Sequence, residues 1–161
     1  MSTREMNQRF RDQEGSALVE LALALPLLLL FVLGAAEFAR LAYAAIEVSN
    51  AAHAAAVYAS SSQSAVTDTP GISNAATADA GNLLGSNAVS VTSVTTACTC
   101  SNAIYTPSSC SDNQTCFQNN SAMITTVTVQ TRATYSPLIT IPGGALTFNL
   151  YGRSSQVVTN H

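Results

Sequence analysis

Residues 15–40 read GSALVELALALPLLLLFVLGAAEFAR. Within them, Ala17 to Ala36 is a 20-residue apolar run interrupted only by the charge of Glu20, with Pro26 and Gly34 as its weak helix formers. At about 1.5 Å per residue, such a helix reaches about 30 Å, the hydrocarbon thickness of a bilayer. The run is longer than the roughly 7–15 apolar residues of a secretory signal core. The expectation is one transmembrane helix over about residues 17–36, which sets the compartment of everything after it.

The segment before it, MSTREMNQRFRDQE, is short, polar and of mixed charge, and reads as a disordered tail. It carries Arg4, Arg9 and Arg11, whereas only Arg40 follows the run closely. Orientation follows the count of Lys and Arg beside a span, so the N-terminus is expected in the cytoplasm and the rest outside. Glu20 sits about one turn into the run. A carboxylate at mid-membrane costs about 2.5–3.5 kcal/mol on insertion scales, and less near an interface. Two readings follow: a side chain that snorkels to the interface, or one that pairs with a positive charge. A free amine on Ser16, made by cutting after Gly15, would lie one turn away on the same helix or on a neighbouring subunit.

Gly15-Ser16-Ala17-Leu18-Val19-Glu20, followed by Leu21-Ala22-Leu23-Ala24-Leu25-Pro26, resembles the processing site of type IV prepilins. It is most similar to the TadE-like pseudopilins of the tight-adherence (Flp) pilus system. That resemblance covers about residues 12–60. It implies cleavage between Gly15 and Ser16 by a prepilin peptidase on the cytoplasmic side of the inner membrane. It implies that Glu20, at the fifth mature position, docks the subunit against other pilin and minor pilin subunits or the inner-membrane assembly platform. The family also carries an acidic residue and an Arg just past the span, which Glu37 and Arg40 supply. Ser16 departs from the Phe common there in type IVa pilins, which favours the tight-adherence branch. The chain's 161 residues exceed the length of major Flp pilins and favour a minor pilin.

Residues 37–60 continue as helix, since they are rich in Ala and contain no Pro or Gly. Phe38, Leu41, Ala45, Val48, Ala52 and Ala55 recur at spacings of three and four and predict one apolar face. Glu37 and Arg40, three apart, are placed to pair. Pro26 predicts a mild bend. The whole helix, Ser16 to about Ala59, would be about 65 Å long. His53 reads as a partly exposed helix residue, with no second ligand one turn on.

Residues 60–71, SSSQSAVTDTPG, read as a loop, with Pro70-Gly71 as a turn signal. Ser73 or Asn74 is expected to cap a short helix over Ala75–Leu84 that stops at Gly85. From Asn87 the period becomes two, with Val89 and Val91 on one strand face and Ser90 and Thr92 on the other. CTCSNAIYTPSSCSDNQTC, residues 98–116, reads as a polar loop. Cys98 and Cys100 are expected to pair with Cys110 and Cys116 in an order left open, and a zinc site is the lesser alternative. MITTVTVQTRATY, residues 123–135, is the clearest strand, with Val127, Val129, Thr131, Ala133 and Tyr135 on one face. Pro142-Gly143-Gly144 reads as a turn and ALTFNLY, residues 145–151, as a further strand, with an edge or tail after it.

The fold class predicted is α+β: a long N-terminal transmembrane helix, then a small pilin-like domain with a three- to four-stranded antiparallel sheet. The expected divisions are a leader over 1–15, the long helix over 16–60 and an extracytoplasmic domain over 61–161. Catalysis is not expected. The chain has two His, no Lys, no phosphate-cradling loop and no placed pair of carboxylates. No cofactor or metal is implied, and a net charge of −3 gives no footprint for nucleic acid. The expected contacts are membrane lipid, the peptidase and pilus subunits. The alternatives are a membrane-anchored binding module that never joins a pilus, and a signal peptide cut near Gly34-Ala35-Ala36. The long run and Glu20 weigh against the second.

Overall fold

The computed structural model describes residues 3–102, 104, 106, 107, 109, 110, 114–138 and 147–158, with side chains from Ser16 onward except that of Ser86. The chain forms two compact units, Met1–Arg40 and Leu41–His161. One helix, α1, runs from Thr3 to Ser60 and passes through Pro26 without a break. It starts earlier than a disordered tail would allow. Residues 3–14 hold neither Pro nor Gly and are rich in Arg, Glu, Gln and Met, all good helix formers, so nothing local stops the helix from extending backwards.

In the second unit, α2 spans Thr69–Asp79. It begins six residues before the expected Ala75. Asp68 is the N-cap, its carboxylate accepting from the Gly71 backbone N–H at 3.1 Å, and Pro70 falls in the first turn. Pro's fixed φ suits that turn and its missing N–H is not needed there, so Asp-Thr-Pro-Gly starts a helix here rather than a free turn. The helix stops at Ala80, before Gly81. Gly85, at φ +64°, belongs to a later 3-10 turn over Gly85–Asn87.

The sheet has three antiparallel strands in the order β1-β2-β3: β1 Ser90–Cys100, β2 Met123–Tyr135 and β3 Phe148–Val157. A short α3, Gln114–Gln118, precedes β2. In β2, the side chains of Val127, Val129, Thr131, Ala133 and Tyr135 are all buried, following the alternation in the sequence. In β1 the register slips between Val91 and Ser93. That bulge changes which parity faces the core: Val89 is buried before it, and Cys98 and Cys100 after it. The strand therefore runs through both cysteines, which do not lie in a loop as their polar surroundings suggested. β3 likewise continues to Val157, because its residues pair in register with β2 from Phe148↔Tyr135 to Val157↔Thr126. The turn expected at Pro142-Gly143-Gly144 and the start of the ALTFNLY strand lie outside the described residues.

The core joins Val48, Ala51, Ala55, Ala56 and Ala59 of α1 to Ile72 and Ala76 of α2 and to Val127, Val129 and Ala133 of β2. Phe38, expected on this face, is 73% exposed, as it precedes the packed part of the helix. With Ala along the contact, the helix backbone comes close to the sheet. Thr131 Oγ1 donates to the Val48 carbonyl at 2.8 Å in a buried site. Beside it stands Gly152 of β3, directly paired with Thr131. A Cβ at Gly152 would overlap the Val48 carbonyl group and lie 2.6 Å from Thr131 Oγ1. The obstructing atoms are largely backbone and cannot rotate away. Gly152→Ala should therefore lose about 1–3 kcal/mol by overpacking. Gly81→Ala, whose Cβ would meet only the Ala78 carbonyl at 3.6 Å, should change stability by less than about 0.5 kcal/mol. Denaturant unfolding in detergent micelles compares the two.

Candidate anchor and processing segment

The apolar stretch from Leu18 to Leu33 leaves all its large side chains exposed. From Ser16 on, the helix is long and apolar enough to cross a membrane. Ser16 and Glu20 are both exposed and four apart, so they lie one above the other on one face of α1. Gly15 sits inside the helix, just before them. One turn past the apolar run, Arg40 Nη1 lies 3.3 Å from Glu37 Oε2 and 3.4 Å from Oε1. An exposed pair three residues apart contributes only about 0.2–1 kcal/mol, so it does little to hold the helix. No contact in the structure brings Glu37 and Arg40 to Glu20, which stands more than four turns away along α1.

In the second unit, the four cysteines form two interleaved bonds, Cys98–Cys110 and Cys100–Cys116. No free thiol is left for a metal, and no cluster of three His, Cys, Asp or Glu side chains occurs among the described residues. Cys98 and Cys100 both point inward after the bulge, and Cys116 of α3 meets the deeper Cys100. His53 is exposed, with Nδ1 3.4 Å from both Ser154 Oγ and Gln156 Nε2. These are long contacts to neutral groups and set up no catalytic dyad.

Sequence reasoning missed the clasp at the end of α1. Tyr58 Oη donates to Asp68 Oδ2 at 2.5 Å, while Asp68 also caps α2. The phenol hydrogen bond first, and the Gly71 N–H second, hold the Asp68 carboxyl below its usual value. Asp68 was legible as a cap, but its tertiary partner was not. Also missed was the neighbourhood of Arg132, Tyr151 and Arg153 on the outer sheet face. The alternation within β2 already placed Arg132 there, and the extent of β3 was needed for the other two.

The described residues thus combine one helix long and apolar enough to cross a membrane with a three-stranded antiparallel sheet, an α+β arrangement. Residues 15–57 match the family model of the TadE-like proteins, so that segment of the chain is similar to them. No curated protein and no solved structure matches the chain.

Two outcomes follow for the second unit. Each disulfide closes a loop, of separation 12 and 16 residues, worth about 3 kcal/mol by chain entropy. Burial separates them: Cys100 and Cys116 are 1% and 0% exposed, whereas Cys110 is only half-buried. Replacing Cys100 and Cys116 by Ser should lower the unfolding midpoint more than replacing Cys98 and Cys110, as read by thermal scans. The second outcome concerns pH. Because the folded carboxyl of Asp68 is held below 3.8, its contribution is complete above that pH and is lost as pH falls through the lower folded value. Asp68→Asn should therefore remove part of the acid-side loss of stability while leaving stability near neutral pH lower than wild type.

Proposed function

We propose that the protein is a minor pilin or pseudopilin of a tight-adherence (Flp) pilus, processed by a prepilin peptidase after Gly15. The observation that carries this reading is the extent of the family match. It begins at Gly15 and covers Ser16, Glu20, the apolar run and the Glu37–Arg40 pair. On this reading residues 1–15 are a leader, 16–60 the mature helix with its span at about 17–36, and 61–161 the extracytoplasmic domain. Arg4, Arg9 and Arg11 keep the leader in the cytoplasm of an inner-membrane protein. The disulfides suit an oxidising compartment on the other side.

Cleavage exposes an amine on Ser16. Glu20 is too costly to leave unpaired in hydrocarbon, and an amine from a neighbouring subunit satisfies it. That pairing sets the axial register in which apolar helices pack, which lipid-facing Leu side chains alone do not specify. The protein acts as a structural or assembly component, without chemistry of its own. Its partners are the peptidase, other pilin subunits and the assembly platform.

Intact mass and N-terminal sequencing of the protein from membranes, with and without an active prepilin peptidase, test this. A peptidase-dependent start at Ser16 is expected. An unchanged N-terminus in both samples, with no association with pilus subunits, would leave a membrane-anchored binding module. A start near residue 36 would make it a secreted domain. Glu20→Ala should keep membrane insertion and lose recovery in the pilus fraction, measured by immunoblot of sheared filaments.

A further inference from the structure

The face of the sheet turned away from α1 and α2 carries an arrangement that the pilin reading does not use. Pairing between β2 and β3 sets Arg132 opposite Tyr151 and Gln130 opposite Arg153. Tyr151 is 67% exposed, and Arg132 and Arg153 are exposed beside it. One guanidinium thus lies across the strand from the ring and the other two residues along from it. Hydroxyl groups continue the face, with Thr128 Oγ1 2.8 Å from Ser155 Oγ.

The charge distribution is uneven. Arg132 and Arg153 are the only basic residues after Arg40, and the three strands contain no Asp or Glu at all. Neither Arg makes an ion pair among the described residues. The described acids of this unit stand on its helical side: Glu47 in α1, Asp79 in α2 and Asp68 at the α2 cap. A sheet face that needed cations only for solubility gains more by opposing them with acids across strands. Here the two arginines make no ion pair with any described carboxylate, and their strand positions flank that of Tyr151.

We propose that this face binds an acidic polysaccharide. Arg132 and Arg153 pair with sugar carboxylates through their planar N–H forks, Tyr151 stacks on a sugar ring, and Gln130, Thr128 and Ser155 meet sugar hydroxyls. Two cations on a unit with four acids are too few for the counterion-release binding of nucleic acid. The acidic helical side of a second copy is a poorer occupant. Asp68 is already bonded to Tyr58 and Gly71, and Glu47 to Tyr43.

The full-length protein in detergent micelles is tested by biolayer interferometry on immobilised polygalacturonate and on its methyl ester, which lacks the charges. Wild type should bind the acid polymer, more weakly as salt is raised, and not the ester. R132Q/R153Q should weaken binding by about tenfold or more, and Tyr151→Ser by several-fold. R132K/R153K, which keeps the charge and loses the fork, should fall between wild type and R132Q/R153Q and serves if the Gln pair alters the unfolding midpoint. No binding to polygalacturonate, equal binding to the ester, or wild-type binding by R132Q/R153Q would each overturn the proposal. Loss of self-association in sedimentation by that variant, without any binding to polygalacturonate, would make the face a subunit contact instead and equally overturn it. Binding is independent of processing after Gly15: an uncleaved chain that binds the polymer would refute the pilin reading and keep this one.

Discussion

The second unit depends on how closely one helix backbone can approach one sheet. At Val48 the helix presents a carbonyl oxygen that accepts from Thr131, with Gly152 alongside. Such an approach needs small residues on both sides. The helix supplies Ala51, Ala52, Ala55, Ala56 and Ala59, and the sheet supplies a glycine at the one position where a Cβ would collide. The hydroxyl of Thr131 is fully buried and would be costly without a partner, and the helix carbonyl satisfies it. Because β2 is the central strand, fixing it against α1 also fixes β1 and β3 through the ladder.

A core built from alanine has a consequence. Each Ala contributes little apolar area, so a small unit of this kind gains less from burial than one packed with Leu and Phe. The structure offsets this with covalent and polar ties at its margins. Two interleaved disulfides fasten the far end of β1 to the segment before β2, and the Tyr58–Asp68 bond fastens the end of α1 to the start of α2. The large apolar residues are spent elsewhere, on the exposed run from Leu18 to Leu33, where lipid can cover them.

The family match and the fold divide the chain in an informative way. The match ends at residue 57, within α1, so it takes in the apolar run and most of the buried face of the helix but none of the strands. The matched part is the long apolar helix with Ser16, Glu20 and the Glu37–Arg40 pair. The strands outside the match carry Cys98 and Cys100 and an outer face with Arg132 and Arg153 about Tyr151.

The sequence by itself determined those features whose physical cause is local. Twenty apolar residues are a membrane-length helix in any context, and the strict alternation of MITTVTVQTRATY can bury only one face of a strand. Glu20 stood out because a carboxylate near the start of such a run is expensive and therefore conspicuous. Other features needed the tertiary structure. Asp-Thr-Pro-Gly is compatible with a turn or a helix start, and the bond from Tyr58 goes with the latter. No residue near Val91 announces a bulge, yet that single extra residue decides that Cys98 and Cys100 face inward. Gly152 looks like a weak point in a strand until Val48, more than a hundred residues earlier, is found against it. These outcomes depend on contacts between distant segments, and residue spacing carries no information about which distant segments meet.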